Sequence, residues 1–97
     1  MIFKFFRELK EKREKKIRRE RMISWYENKF NYVPTAPLSE LCKLLRRQES
    51  ELQGIRIQEF QAQDKEKKEF LRTHIELSER LIRQISERIR RSCRKVC

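Results

Sequence analysis

The apolar positions of this 97-residue chain fall in stripes rather than blocks. Ile2, Phe6, Leu9 and Ile17 lie roughly on one helical face, with Arg13 interrupting the stripe, and the spacing predicts a helix over residues 2–30. Further along, Leu38, Leu41, Leu45, Gln48, Leu52 and Ile55 follow a 3-4-3-4-3 spacing, the mark of a coiled-coil seam. A second seam runs through Leu71, Ile75, Ser78, Ile82, Ile85, Ile89, Ser92 and Val96, and Leu77 and Leu81 widen it. The two seams are out of phase. Between them, Gln61 to Glu69 carries no large apolar residue, so the expectation is one long helix over residues 37–97 that bends between 54 and 70 or faces different partners with its two halves. Gly54, unfavourable inside a helix by about 1 kcal/mol, is read as a bend or a close backbone contact.

One segment breaks the helical pattern. Phe30 to Ser39 is uncharged and holds both prolines. Pro34 disfavours helical geometry at Val33, so the first helix should stop near Asn31, and residues 31–36 read as a corner. Thr35 is the expected N-cap of the next helix, with Pro37 in its first turn. The chain has one Gly and two Pro, too few for the turns of a β or α/β fold. The fold class expected is all-α: two long helices in an extended hairpin or L-shape with coiled-coil-like seams.

Charge then narrows the partner. Charged residues make up 42% of the chain, and the formal net charge of +11 points to an anionic partner: nucleic acid, with RNA favoured, an acidic protein surface, or a phospholipid surface. The densest run is Lys10, Lys12, Arg13, Lys15, Lys16, Arg18, Arg19 and Arg21, with Glu8–Lys12, Glu11–Lys15 and Glu14–Arg18 spaced to form i,i+4 pairs that support an exposed helix. A second concentration, Arg80, Arg83, Arg88, Arg90, Arg91, Arg94 and Lys95, meets only Glu87. A smaller one is Lys43, Arg46 and Arg47. Arginine suits phosphate through its planar fork, and each neutralised phosphate releases counterion. The expected nucleic-acid-binding residues are therefore the Lys10–Arg21 run together with Arg83, Arg88, Arg90, Arg91, Arg94 and Lys95. Runs such as KKIRRER also serve as nuclear import signals and occur on inert solvated helices.

The aromatic cluster after the first basic run has two readings. Trp25, Tyr26, Phe30 and Tyr32 would stack on unpaired bases. Alternatively Met22, Ile23, Trp25, Tyr26 and Phe30 pack against Leu38, Leu41, Leu44 and Leu45 once the chain folds back, and this core reading is favoured. Phe3, Phe5 and Phe6 are harder to bury, and beside Lys4 and Arg7 they suit a membrane interface or a groove on a partner. The seam residues Leu41, Leu45, Leu52, Ile55, Leu71, Ile75, Ile82, Ile85 and Ile89 are the expected partner interface, making a homo-oligomer or a subunit of a larger assembly.

Catalysis is not expected. There is no Gly-rich phosphate loop and no nucleophile–base arrangement, and thin helices offer no water-excluding pocket. Cys42, Cys93 and Cys97 with the lone His74 do not make a tetrahedral metal site, so no metal and no cofactor is expected, and the thiols suit a reducing compartment. The apolar start, Met1 to Phe6, is too short for a signal peptide, and no apolar run approaches the roughly 20 residues of a bilayer span. Ile2 stands where myristoylation needs glycine. The expectation is an intracellular protein, nuclear or cytoplasmic, that binds RNA or a ribonucleoprotein. The alternatives are a coiled-coil adaptor in a filament or multiprotein assembly, and a membrane-surface binder acting through the Phe cluster.

Overall fold

A computed structural model describes the backbone of residues 2–96 and the side chains of residues 2–92. Among the described residues the chain is all-helical: α1 spans Ile2–Tyr32, α2 spans Leu38–Gln61 and α3 spans Lys65–Val96, with one 3-10 turn, Val33–Thr35, between α1 and α2. Three helices replace the two expected.

The corner falls where the prolines place it, and its detail differs from expectation. The Thr35 hydroxyl donates to the Tyr32 carbonyl at 3.2 Å instead of capping the next helix. Pro37, extended at φ −62 and ψ 146, precedes Leu38 as the N-cap residue, and no side chain caps that end. Val33 and Ala36 are buried, so the corner is pinned into the core as well as turned by its prolines.

The long second helix is two helices. α2 stops at Gln61, and Ala62 turns extended at φ −69 and ψ 132. Asp64 then starts α3, its carboxylate accepting the Glu66 backbone N–H at 3.2 Å. This is N-capping by a short acidic side chain, with Glu66 adding a favourable charge in the first turn. Gly54 is neither a bend nor a close approach: α2 runs through it, and a Cβ added there would meet nothing within 4 Å.

The break also explains the phase shift between the seams. α2 and α3 run antiparallel, so Leu41 and Leu44 share a core with Leu81 and Ile85 at one end, while Ile55 and Ala62 share one with Leu71 at the other. Halfway along, the polar positions of the two seams meet. Gln48 and Ser78 are both fully buried, and the Ser78 hydroxyl donates to Gln48 Oε1 at 3.3 Å. Arg56–Glu79 at 2.9 Å and Arg72–Glu59 at 3.3 Å bridge the same pair of helices on the outside. The expected partner interface is therefore turned inward. Leu41, Leu52, Ile55, Leu71 and Ile85 are buried within the chain, and Leu45, Ile75, Ile82 and Ile89 are half-buried. Two antiparallel seams on one chain satisfy each other at high effective concentration, before a second copy can compete.

α1 lies parallel to α3 and packs on it more than on α2. Contacts advance together along both: Lys15 with Glu66, Tyr26 with His74, Phe30 with Gln84. Tyr26 enters the main core, with Met22 and Phe30 packed at its edge. Because Lys15 already meets the first turn of α3, the start of α1 projects past the α2–α3 turn by about 20 Å at 1.5 Å per residue. The projection gives the chain its 68 × 26 × 15 Å extents.

Candidate nucleic-acid interface

Every residue of α1 from Ile2 to Arg21 is exposed. The eight bases from Lys10 to Arg21 lie on all sides of the helix, as their spacing requires at 3.6 residues per turn. Among the described residues, Lys15 alone of these bases has an acidic partner, Glu66 at 2.6 Å. That hydrogen bond, with the carboxylate's charge, holds the Lys15 ammonium above its usual range. The three expected i,i+4 pairs are absent as salt bridges among the described residues. An exposed pair gains too little in water to fix two long side chains, so Lys12 and Arg18 remain available to an outside anion.

The two basic runs are not brought together. Arg83, Arg90 and Arg91 are exposed further along α3, about 26 to 38 Å along the axis from Glu66 at 1.5 Å per residue. Arg88 is half-buried and donates to the Ser92 hydroxyl. The side chains of Arg94 and Lys95 lie outside the described residues, as do those of Cys93 and Cys97. Cys42 is exposed and free.

The fold brings α1 and α2 to face each other across an open groove of about 880 Å³ floored by α3. Rings line it in sequence: Trp25 meets Tyr26 edge-on at 5.0 Å, Tyr26 meets His74 at 5.5 Å, and His74 meets Phe70 at 6.3 Å. Arg18 and Arg21 reach its rim from α1 and Arg47 from α2, with Glu51 the acid among them and Gly54 in the wall. Toward the projecting arm the groove continues between Lys16, Arg19 and the start of α3.

The floor is chemically graded. Tyr26 is buried, its hydroxyl has no hydrogen-bond partner, and desolvation pushes the phenol up to about 12 despite the nearby Ser78. Half-buried His74 is pushed down by desolvation, partly opposed by Glu51, so the imidazole is favoured neutral. Trp25 stays 39% exposed, with the Lys29 ammonium 5.3 Å from its ring centre. The aromatic cluster thus divides. Tyr26 and Phe30 join the core, while Trp25 stays at the surface as the stacking alternative requires.

Arg47, Phe70 and His74 were not expected to act with the first basic run. Their signal is helical spacing: Arg47, Glu51, Gly54 and Gln58 repeat on one face of α2, and Phe70 and His74 on one face of α3. Among the described residues no cluster of three potential metal ligands occurs, and no helix is long and apolar enough to cross a membrane. No protein-family model matches the chain, and neither does any curated protein or solved structure.

Proposed function

We propose that the protein is a non-enzymatic RNA-binding protein that grips phosphates with the cationic arm of α1 and extends the contact through Arg83, Arg90 and Arg91. One observation carries this reading. The whole arm is exposed, and of its eight clustered bases only Lys15 has an acidic partner among the described residues. A helix left unburied gains nothing from core packing, so its charge is free for a partner. Several such contacts along one rod produce salt-sensitive affinity without sequence readout. RNA is favoured over DNA because aromatic side chains border the arm, and RNA more often presents unstacked bases.

The test is fluorescence anisotropy with a blunt RNA duplex of about 16 base pairs and with a single strand, across about 50 to 300 mM salt. Submicromolar binding at the lowest salt with a steep loss on raising it is the expected result. Failure to bind either RNA at the lowest salt sinks the proposal.

A second reading rests on a different observation. Phe3 is 89% exposed, and Phe5 and Phe6 are 61% exposed, on the part of α1 that projects beyond the other helices. Rings interleaved with Lys4, Arg7 and Lys10 suit the interface of an anionic bilayer. Flotation with vesicles rich in phosphatidylserine, lost when the three Phe residues become Ser, is its expected signature. Flotation that is unchanged by those substitutions removes the arm from any membrane account.

A further inference from the structure

The sole glycine of the chain poses a physical question. Gly54 sits in the interior of α2, where glycine is unfavourable by about 1 kcal/mol relative to Ala, yet its φ is ordinary and no backbone or side chain crowds it. Neither the fold nor a turn requires a glycine there. What its missing side chain does is leave open space in the groove that Gly54 and Trp25 both line.

We infer that the groove seats an unpaired RNA base. The base stacks against the exposed ring of Trp25 above the Tyr26–His74–Phe70 floor, and its flanking phosphates meet Arg18, Arg21 and Arg47. This inference rests on the RNA-binding reading and sharpens it from phosphate contact to recognition of unpaired strands. The chemistry of the groove fits an amphipathic anion with a flat body. The exposed Trp25 ring offers a π-face, the rim offers three guanidiniums, and none of the three has a salt-bridge partner among the described residues. Glu51 is the one carboxylate among the residues lining this part of the groove, and it accepts from Gln48 Nε2 at 3.4 Å. The volume accommodates a base with its sugar, and a neighbouring cavity that shares Arg18, Gln58, Phe70 and Leu71 with the groove adds Lys16 and Arg19, together with the acids Asp64, Glu66 and Glu69.

The test uses the full chain, whose single tryptophan is Trp25 and therefore reports on the groove directly. A single-stranded RNA of about 12 nucleotides is expected to quench Trp25 fluorescence in step with binding, and the blunt duplex is expected to bind without quenching. Gly54→Phe projects a ring into the groove from a position where an added Cβ meets nothing within 4 Å, and should lower single-strand affinity about tenfold while leaving duplex affinity within about twofold. Gln53→Phe, one residue away and outside the groove, should leave both affinities as they were. Circular dichroism checks that the variants keep their helix content; if Gly54→Phe loses it, the wild-type quenching decides alone. Single-strand binding with no change in Trp25 emission overturns the groove assignment and leaves the cationic arm standing. Absence of binding by either RNA overturns both.

Discussion

The two halves of α1 are one continuous helix held by opposite physics. From Met22 to Tyr32 the helix is tied down by burial: Tyr26 is 1% exposed, Met22 and Phe30 pack at the core edge, and Gln84 Nε2 donates to the Phe30 carbonyl at 3.1 Å. From Ile2 to Arg21 no residue is buried, and among the described residues the one salt bridge from this stretch to the rest of the chain is the exposed Lys15–Glu66 pair. Water screens such a pair, so it holds the arm only weakly. The difference teaches where to look for function. A segment that contributes little to the fold but carries the densest charge is explained by what it meets outside the chain.

The sharpest way to break the comparison is to remove the same kind of atoms from each side of the boundary. Ile85 is fully buried between the helices, and Ile85→Ala should destabilise the chain by about 2–5 kcal/mol in urea unfolding. Ile17 is 47% exposed on the arm, and Ile17→Ala should change stability by no more than about 0.5 kcal/mol. Comparable losses at both positions would mean that the arm is packed in solution, and the argument from its exposure would fail.

Binding should show the reverse asymmetry. Replacing Arg13, Lys16 and Arg19 with Glu removes phosphate contacts from the arm without touching the core, because all three are exposed. RNA affinity should fall on the order of 100-fold, and the slope of log affinity against log salt should flatten by about three. Helix content should stay nearly unchanged. The same triple change with undiminished affinity would move RNA binding off α1 altogether.

Much of this was legible in the residues. Prolines 34 and 37 mark the corner, and the 3-4 spacing marks both seams. Gln48 and Ser78 stand as polar positions within the two seams, and the fold pairs them. What a single sequence hides is which face meets which. A seam is complementary to any seam of similar width, so periodicity cannot distinguish a second copy from the next helix of the same chain. The decisive sign of the break was slight. The two seams change phase across Gln61–Glu69, and Asp64 stands there as a cap with no Gly or Pro beside it. The groove was hidden for a related reason: its rim comes from two helices whose facing is set only once α3 turns back, so Arg18, Arg47 and Phe70 share no local pattern.

The buried Gln48–Ser78 pair refines the account of the docked region. Ser78→Ala leaves Gln48 Oε1 buried without its donor, and the Glu51 carboxylate, 3.4 Å from Gln48 Nε2, cannot replace it. A cost of about 1–3 kcal/mol is expected. Gln48→Leu combined with Ser78→Ala should be milder than Ser78→Ala alone, since no polar group is then stranded. A double change that is worse than either single one would mean the pair sets helix register rather than merely satisfying itself.

The smallest effect expected is a dependence of stability on pH between about 5.5 and 7.5, and it comes from the docked region. His74 is half-buried beside Tyr26 and Phe70, and desolvation lowers its pKa from 6.5, with Glu51 opposing. Below 6.5 the unfolded chain therefore binds a proton that the folded chain resists, so stability rises with pH through that window. The contribution is fully present above 6.5 and is lost as pH falls toward the folded-state value, after which it levels off. Urea midpoints measured at about pH 7.5 and about pH 5.5 should differ in wild type by more than in His74→Phe, which keeps the ring but removes the titration. The comparison with the variant is needed because carboxylates begin to titrate at the acid end of the range. An identical pH response in both proteins would mean that His74 is solvated in the folded chain, and the groove floor would then be wetter than its packing implies.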